Sequence, residues 1–93
     1  MKISVNNMTS PNGNFVPNQF IIKTKNEVYF QSYETTIAKV NKRSMYNDEI
    51  ILDNNALDYS RTTSKYLYKF LGMNRKTIEE LIKTKEIKLR NLN

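Results

Sequence analysis

The sequence predicts an α+β domain: a small antiparallel sheet of four to five strands, then two helices, then a C-terminal strand that returns to the sheet. Three observations carry this expectation. Runs of β-branched and aromatic residues, broken by turn chemistry, occupy much of the chain up to Asp53. After Tyr59 the apolar spacing changes from alternation to a helical period of about 3.6. Alternation then resumes over Glu86 to Asn91, where Ile87 and Leu89 alternate with Lys88 and Arg90. With 93 residues, 39% of them hydrophobic, the chain is long enough for one core, so residues 1–93 are read as a single domain.

Lys2 to Val5 reads as a short first strand and Asn6 to Asn14 as a loop. Within that loop Ser10-Pro11-Asn12-Gly13 is strong turn chemistry: Pro fixes φ, and Asn-Gly tolerates positive φ. Gln19 to Thr24 and Val28 to Tyr33 follow as a hairpin around Lys25-Asn26, with Pro17 just before it. Its inner face is expected to include Phe20, Ile22, Val28 and Phe30. Thr35 to Val40 and Glu49 to Asp53 are further strands, joined by a long, partly basic loop that carries Lys42 and Arg43. Thr63, Tyr66, Leu67, Phe70 and Leu71 then fall on one face of a helix. Asp58 or Ser60 can cap its start, and Gly72 suits the position just past its end. Ile78, Leu81 and Ile82 mark a second helix, capped by Asn74 or by a Thr77/Glu80 capping box.

Several chemistries are excluded by residue type. The chain has no histidine and no cysteine, which removes histidine-based triads, Cys–His catalysis, thiolate or imidazole zinc sites and disulfides. Its only glycines, Gly13 and Gly72, cannot write a phosphate-binding loop. Asp48, Glu49 and Asp53 lie at the ends of one strand without a metal-ligand spacing, and read as solvated strand ends and caps. Tyr33, Tyr46, Tyr59, Tyr66 and Tyr68 sit among basic residues, but no histidine accompanies them as it does in tyrosine strand-transfer sites, so they read as packing or stacking groups. The expectation is a protein that is not an enzyme and needs no cofactor or metal.

The charge points to a binding role. The net charge is +6, distributed as +4 over residues 1–46, −4 over 47–58 and +6 over 59–93. Such a basic C-terminal third suits nucleic acid or an acidic protein surface. The outer face of the first helix carries Arg61, Lys65, Tyr68 and Lys69, a set that fits phosphate contact and cation–π stacking. Lys88 and Arg90 extend the basic set from the last strand. Arg75 and Lys76 lie where the helix dipole disfavours cations, which hints at a use for their charge. No stretch approaches the ~20 apolar residues of a membrane-spanning helix, and the N-terminus lacks an apolar signal stretch. The protein is therefore expected in the cytoplasm, away from membranes.

Two resemblances add to this reading. Tyr66-Leu67, Phe70-Leu71-Gly72-Met73-Asn74-Arg75-Lys76-Thr77-Ile78, Leu81-Ile82-Lys83 and Glu86-Ile87 resemble an excisionase-like helix-turn-helix. That resemblance implies DNA contact by Arg75, Lys76 and Thr77, although Glu79 and Glu80 make the supposed recognition helix acidic. More of the chain is similar to an uncharacterised family of small proteins from phages and plasmids of low-GC Gram-positive bacteria. The likeness covers roughly residues 15–93 and is carried by Asn18-Gln19-Phe20-Ile21-Ile22, Val28-Tyr29-Phe30-Gln31-Ser32-Tyr33, the run Asp58 to Lys65, and the ending Lys88 to Asn93. It implies a mobile-element accessory protein that acts by binding. The first expectation is an inhibitor of a host nucleic-acid-targeting effector, of the anti-CRISPR type, using Arg61, Lys65, Tyr68, Lys69, Lys88 and Arg90. A DNA-binding regulator is second, and a phage structural or assembly component third.

Overall fold

The structure, a computed structural model, describes residues 3–42 and 48–93. Five strands come first: β1 (Ser4–Thr9), β2 (Phe15–Lys23), β3 (Glu27–Ser32), β4 (Thr35–Asn41) and β5 (Glu49–Asp53). They form an antiparallel meander. Helices α1 (Arg61–Leu71) and α2 (Arg75–Lys83) then return the chain to β6 (Ile87–Arg90), which pairs with β5 in parallel. A parallel pair needs a crossover rather than a hairpin, and the two helices supply it. The α+β class is as expected, but among the described residues the sheet has six strands in sequential order, not four to five. The returning strand is a full member, and its pairing makes the sheet mixed rather than purely antiparallel.

Turn chemistry sets the hairpins. In the first, Gly13 N–H donates to Ser10 C=O at 2.9 Å, and Gly13 has φ +82°. The strand before it is longer than expected: β1 continues through Asn6 and Asn7 to Thr9, and Met8 is buried at a register shift between Asn7 and Thr9. Pro17 lies inside β2, in the stretch where that shift interrupts the ladder and no N–H is required. In the second hairpin Thr24 N–H donates to Glu27 C=O at 2.9 Å, closing a two-residue turn at Lys25-Asn26.

That turn fixes which residues face the core. It sets Lys23 opposite Val28 and therefore Ile21 opposite Phe30. Directly opposed residues share a face, so Ile21 lies on the inner side with Phe30. Phe20 and Ile22, expected inside, lie on the other face and are half-buried. The expectation went astray because Phe20, Ile21 and Ile22 are all apolar, so alternation within β2 cannot choose a side. A second shift, between Phe30 and Gln31, leaves Ile37 unpaired beside Ala38. Both are buried, so this bulge aims two consecutive residues of β4 inward.

The helices cover the inner face. Thr63, Tyr66 and Leu67 of α1 are buried, and Phe70 stacks on Phe30 with centroids 5.7 Å apart. From α2, Ile78 is fully buried. Ser60 caps α1 by accepting from Thr63 N–H, and Gly72, at φ +68°, ends it. Asn74, rather than the Thr77/Glu80 box, caps α2 by accepting from Thr77 N–H at 2.8 Å. The opposite sheet face has no element over it among the described residues. It carries Val5, Phe20, Ile22, Tyr29 and Ile51 beside Lys39 and Lys88. Lys39 lies 3.0 Å from Glu27 and 5.8 Å from the Tyr29 ring centre.

The chain end is tied down at Asp53. Its Oδ1 accepts from Leu92 N–H at 3.0 Å and Asn93 Nδ2 at 3.2 Å. Its Oδ2 accepts from Tyr59 OH at 3.2 Å and Asn55 N–H at 3.3 Å. Asn93 meanwhile donates to Thr36 C=O and accepts from Thr36 N–H, so one side-chain amide satisfies both backbone groups of a β4 residue. Among the described residues no helix is long and apolar enough to cross a membrane.

Candidate interaction surface

Arg61, Ser64, Lys65 and Tyr68 recur at helical spacing, and the burial of Thr63, Tyr66 and Leu67 turns them outward. The short turn from Gly72 to Asn74 then brings the first residue of α2, Arg75, to the same place. Leu57 and Tyr59, from the segment before α1, complete a depression of about 330 Å³ lined by these residues. The structure therefore joins Arg61, Lys65 and Tyr68 with Arg75, which the sequence assigned to the competing DNA-reading set.

The polar contacts hold the rim in place. Arg75 Nε lies 3.1 Å from Glu79 Oε1, and its Nη1 donates to Leu57 C=O at 3.4 Å. The Glu79 carboxylate, with Tyr68 alongside, holds the guanidinium protonated beyond its usual range. Lys65 sits 5.5 Å from the Tyr66 ring centre. Neither Arg61 nor Lys65 pairs with a carboxylate among the described residues. Tyr59 is held neutral: burial, then its hydrogen bond to Asp53, push its phenol above the usual tyrosine range. A phenol kept protonated by a carboxylate acceptor is a donor and a stacking surface, not an activated nucleophile.

The other expected residues lie elsewhere. Lys69 donates to Thr9 C=O and so ties the end of α1 to β1. Lys88 points to the uncovered sheet face and sits 2.9 Å from Glu49. Arg90 shares that face and folds back so that Nη1 donates to Leu89 C=O at 2.7 Å. Lys76 remains exposed on α2 beside Glu79, Glu80 and Lys83. Thr77 serves the cap through its N–H. Lys42 lies 2.8 Å from Asp48; Arg43 and Tyr46 lie outside the described residues. Asp48, Glu49 and Asp53 turn to different partners, and no group of three potential metal ligands occurs among the described residues.

Tyr59, Leu57 and Ser64 were not expected at this surface. Ser64 was within reach of helical spacing alone, three residues from Arg61. Tyr59 and Leu57 precede the helix, and only the path of the 54–60 segment reveals them. No curated protein and no solved structure matches the chain. A family model matches residues 3–88, so the chain belongs to the family of unknown function DUF8033.

Proposed function

We propose that this protein acts by binding, and that its contact surface is the cationic, tyrosine-lined depression between α1 and α2. One observation carries the reading. Arg61 and Lys65 from α1 and Arg75 from α2 converge on one concavity with Tyr59 and Tyr68, and the first two have no carboxylate partner among the described residues. Aromatic and arginine groups at the centre of a patch are the residue types that carry interface energy. The partner that fits is an acidic protein surface or a nucleoprotein. In the more specific form of the proposal, the protein is a phage or plasmid accessory factor that inhibits a host nucleic-acid-targeting effector of the CRISPR kind. The family resemblance in the sequence supports that context.

Expression in a bacterium with an active CRISPR system should restore transformation by a targeted plasmid. The double substitution Arg61→Glu with Lys65→Glu should abolish that protection, because like charges meeting across an interface cost several kcal/mol. Both residues are exposed, so melting should be preserved. Protection that survives the double substitution would overturn the assigned surface, and absence of protection would overturn the inhibitor reading.

A second reading, a DNA-binding regulator, is favoured by the short α1–turn–α2 unit, with Arg75, Lys76 and Thr77 at the start of its second helix. The Arg75–Glu79 pair and the mixed charge of α2 weigh against it. Free duplex should bind only at non-specific affinity, ~10⁻⁴–10⁻⁶ M. Tight, sequence-specific binding lost in Arg75→Ala with Lys76→Ala would establish the regulator instead.

A further inference from the structure

Among the described residues no strand pairs with the outer edge of β6, beside α2. Asn54 N–H donates to Arg90 C=O at 2.8 Å, so Arg90 turns its backbone groups toward the β5 side. Backbone direction alternates along a strand. Lys88 therefore faces β5 as Arg90 does, whereas Ile87 and Leu89 turn their N–H and C=O groups away from β5, Leu89 half-buried and Ile87 only 2% exposed. Consistent with this, Leu89 C=O is reached by the guanidinium of Arg90 rather than by another strand.

A groove of about 380 Å³ runs along this edge, lined by Ile82, Lys85, Ile87, Lys88, Leu89 and Arg90. Its two sides differ. Toward α2 it is apolar, with Ile82 and Leu89 half-buried against the core. On the uncovered sheet face it is cationic, through Lys88 and Arg90, with Lys85 at its end. Among the described residues no carboxylate lines it, and Glu49 meets Lys88 from behind at 2.9 Å.

We propose that the β6 edge receives an extended acidic segment of a partner protein as a seventh strand. Strand addition of this kind takes affinity from main-chain hydrogen bonds and specificity from alternate side chains. The side chains of the added strand that turn toward α2 would meet Ile82 and Leu89 and must be apolar. Those between them would meet Lys88 and Arg90 and must be carboxylates. The recognised pattern is thus acidic and apolar in strict alternation. The cations that select such a strand also repel a second copy of this basic edge, since like charges opposed across strands are unfavourable. Arg90 covers Leu89 C=O in the free protein and swings to a partner carboxylate on binding. Lys88 has three donors and can serve a second carboxylate while it keeps Glu49. This surface is separate from the α1 depression and does not depend on it.

The test uses the whole chain and a capped hexapeptide of alternating glutamate and valine. Its control has the same composition in blocks, three glutamates followed by three valines. Titration followed by amide NMR should show the alternating peptide binding at least ten-fold more tightly than the block peptide. Shifts should centre on Ile87 and Leu89, with slowed amide exchange at the half-buried Leu89, and Arg90→Glu should weaken binding at least ten-fold. Equal binding of the two peptides would reduce the effect to charge alone and overturn the proposal. Shifts centred on the α1 depression or on β1, or no binding of either peptide, would overturn it as well. The wild-type shift map stands as a test even if Arg90→Glu does not fold.

Discussion

Replacing Gln19 with methionine should stabilise the protein. Gln19 is fully buried on the inner face of β2, opposite Ser32, and among the described residues neither its amide oxygen nor its amide nitrogen has a hydrogen-bond partner. The hydroxyl of Ser32, across the ladder, bonds Thr63 at 2.9 Å and does not reach the amide. Leaving a buried polar group unsatisfied costs ~1–3 kcal/mol. Methionine has nearly the same length and shape without the polar atoms, so it removes that cost and opens no void. A gain of about 1–3 kcal/mol corresponds to a rise of roughly 4–8 °C in Tm per kcal/mol for a domain of this size. Gln19→Ala supplies the control: it removes the same amide but leaves a cavity, and should fall below Gln19→Met. Thermal unfolding by circular dichroism and urea titration measure both. A Tm for Gln19→Met lower than that of the parent would refute the reasoning, because it would mean that the amide is satisfied in solution.

Phe30→Ala should cost ~3–5 kcal/mol, since it empties a fully buried site and removes the stack on Phe70; an unchanged Tm would remove Phe30 from the core. Stability should also show two pH limits. Lys39 holds Glu27 below its usual range; for Asp53, burial opposes ionisation but the hydrogen bonds from Leu92, Asn55, Tyr59 and Asn93 outweigh it. Lowered carboxylates stabilise the fold above their unfolded values near ~4, and this is lost as pH falls through the folded values. Lys39 is raised by Glu27, while burial raises Tyr29 and Tyr59, so their contribution is present below ~10 and is lost as pH rises through the raised values. A pH scan of Tm should therefore be flat between these limits, and in Asp53→Asn the acid limb should shrink. Dialysis against a chelator should leave Tm unaltered; a loss restored by Mg²⁺ or Mn²⁺ would return attention to Asp48, Glu49 and Asp53.

Element order was legible because the punctuation is local. Pro11 with Gly13, Lys25-Asn26, Ser60, Gly72 and Asn74 each act within a few residues, and each sits where its chemistry is needed. Strand faces were less legible, and the reason is instructive. Once Lys25-Asn26 is taken as a two-residue turn, Lys23 must oppose Val28 and Ile21 must oppose Phe30. The turn thus held the register that the uniformly apolar run Phe20-Ile21-Ile22 concealed. Bulges are the opposite case: nothing in Asn6-Asn7-Met8 or Thr36-Ile37-Ala38 announces the two register shifts, one at the buried Met8 and one that leaves Ile37 buried beside Ala38. Nor does the sequence reveal that β6 lies parallel to β5, which follows from where α1 and α2 pack.

The candidate surface shows why net charge alone overstates what a basic chain has available. In the C-terminal third of the free protein, Lys69 is held at β1, Arg75 by Glu79, Lys88 by Glu49 and Arg90 by its own strand, so that none of them is without a polar partner as Arg61 and Lys65 are among the described residues. Spread along the sequence they look like one basic face; folded, they fall on both sides of the sheet. Arg61 and Lys65 remain on α1 with no carboxylate partner among the described residues, and the turn at Gly72 brings Arg75 to them. Helical spacing can place Arg61 beside Lys65, but no period relates either to Arg75, because their proximity depends on the angle between two helices. The surface with the strongest claim to function is therefore smaller than the charge suggested, and it draws on both helices rather than on one.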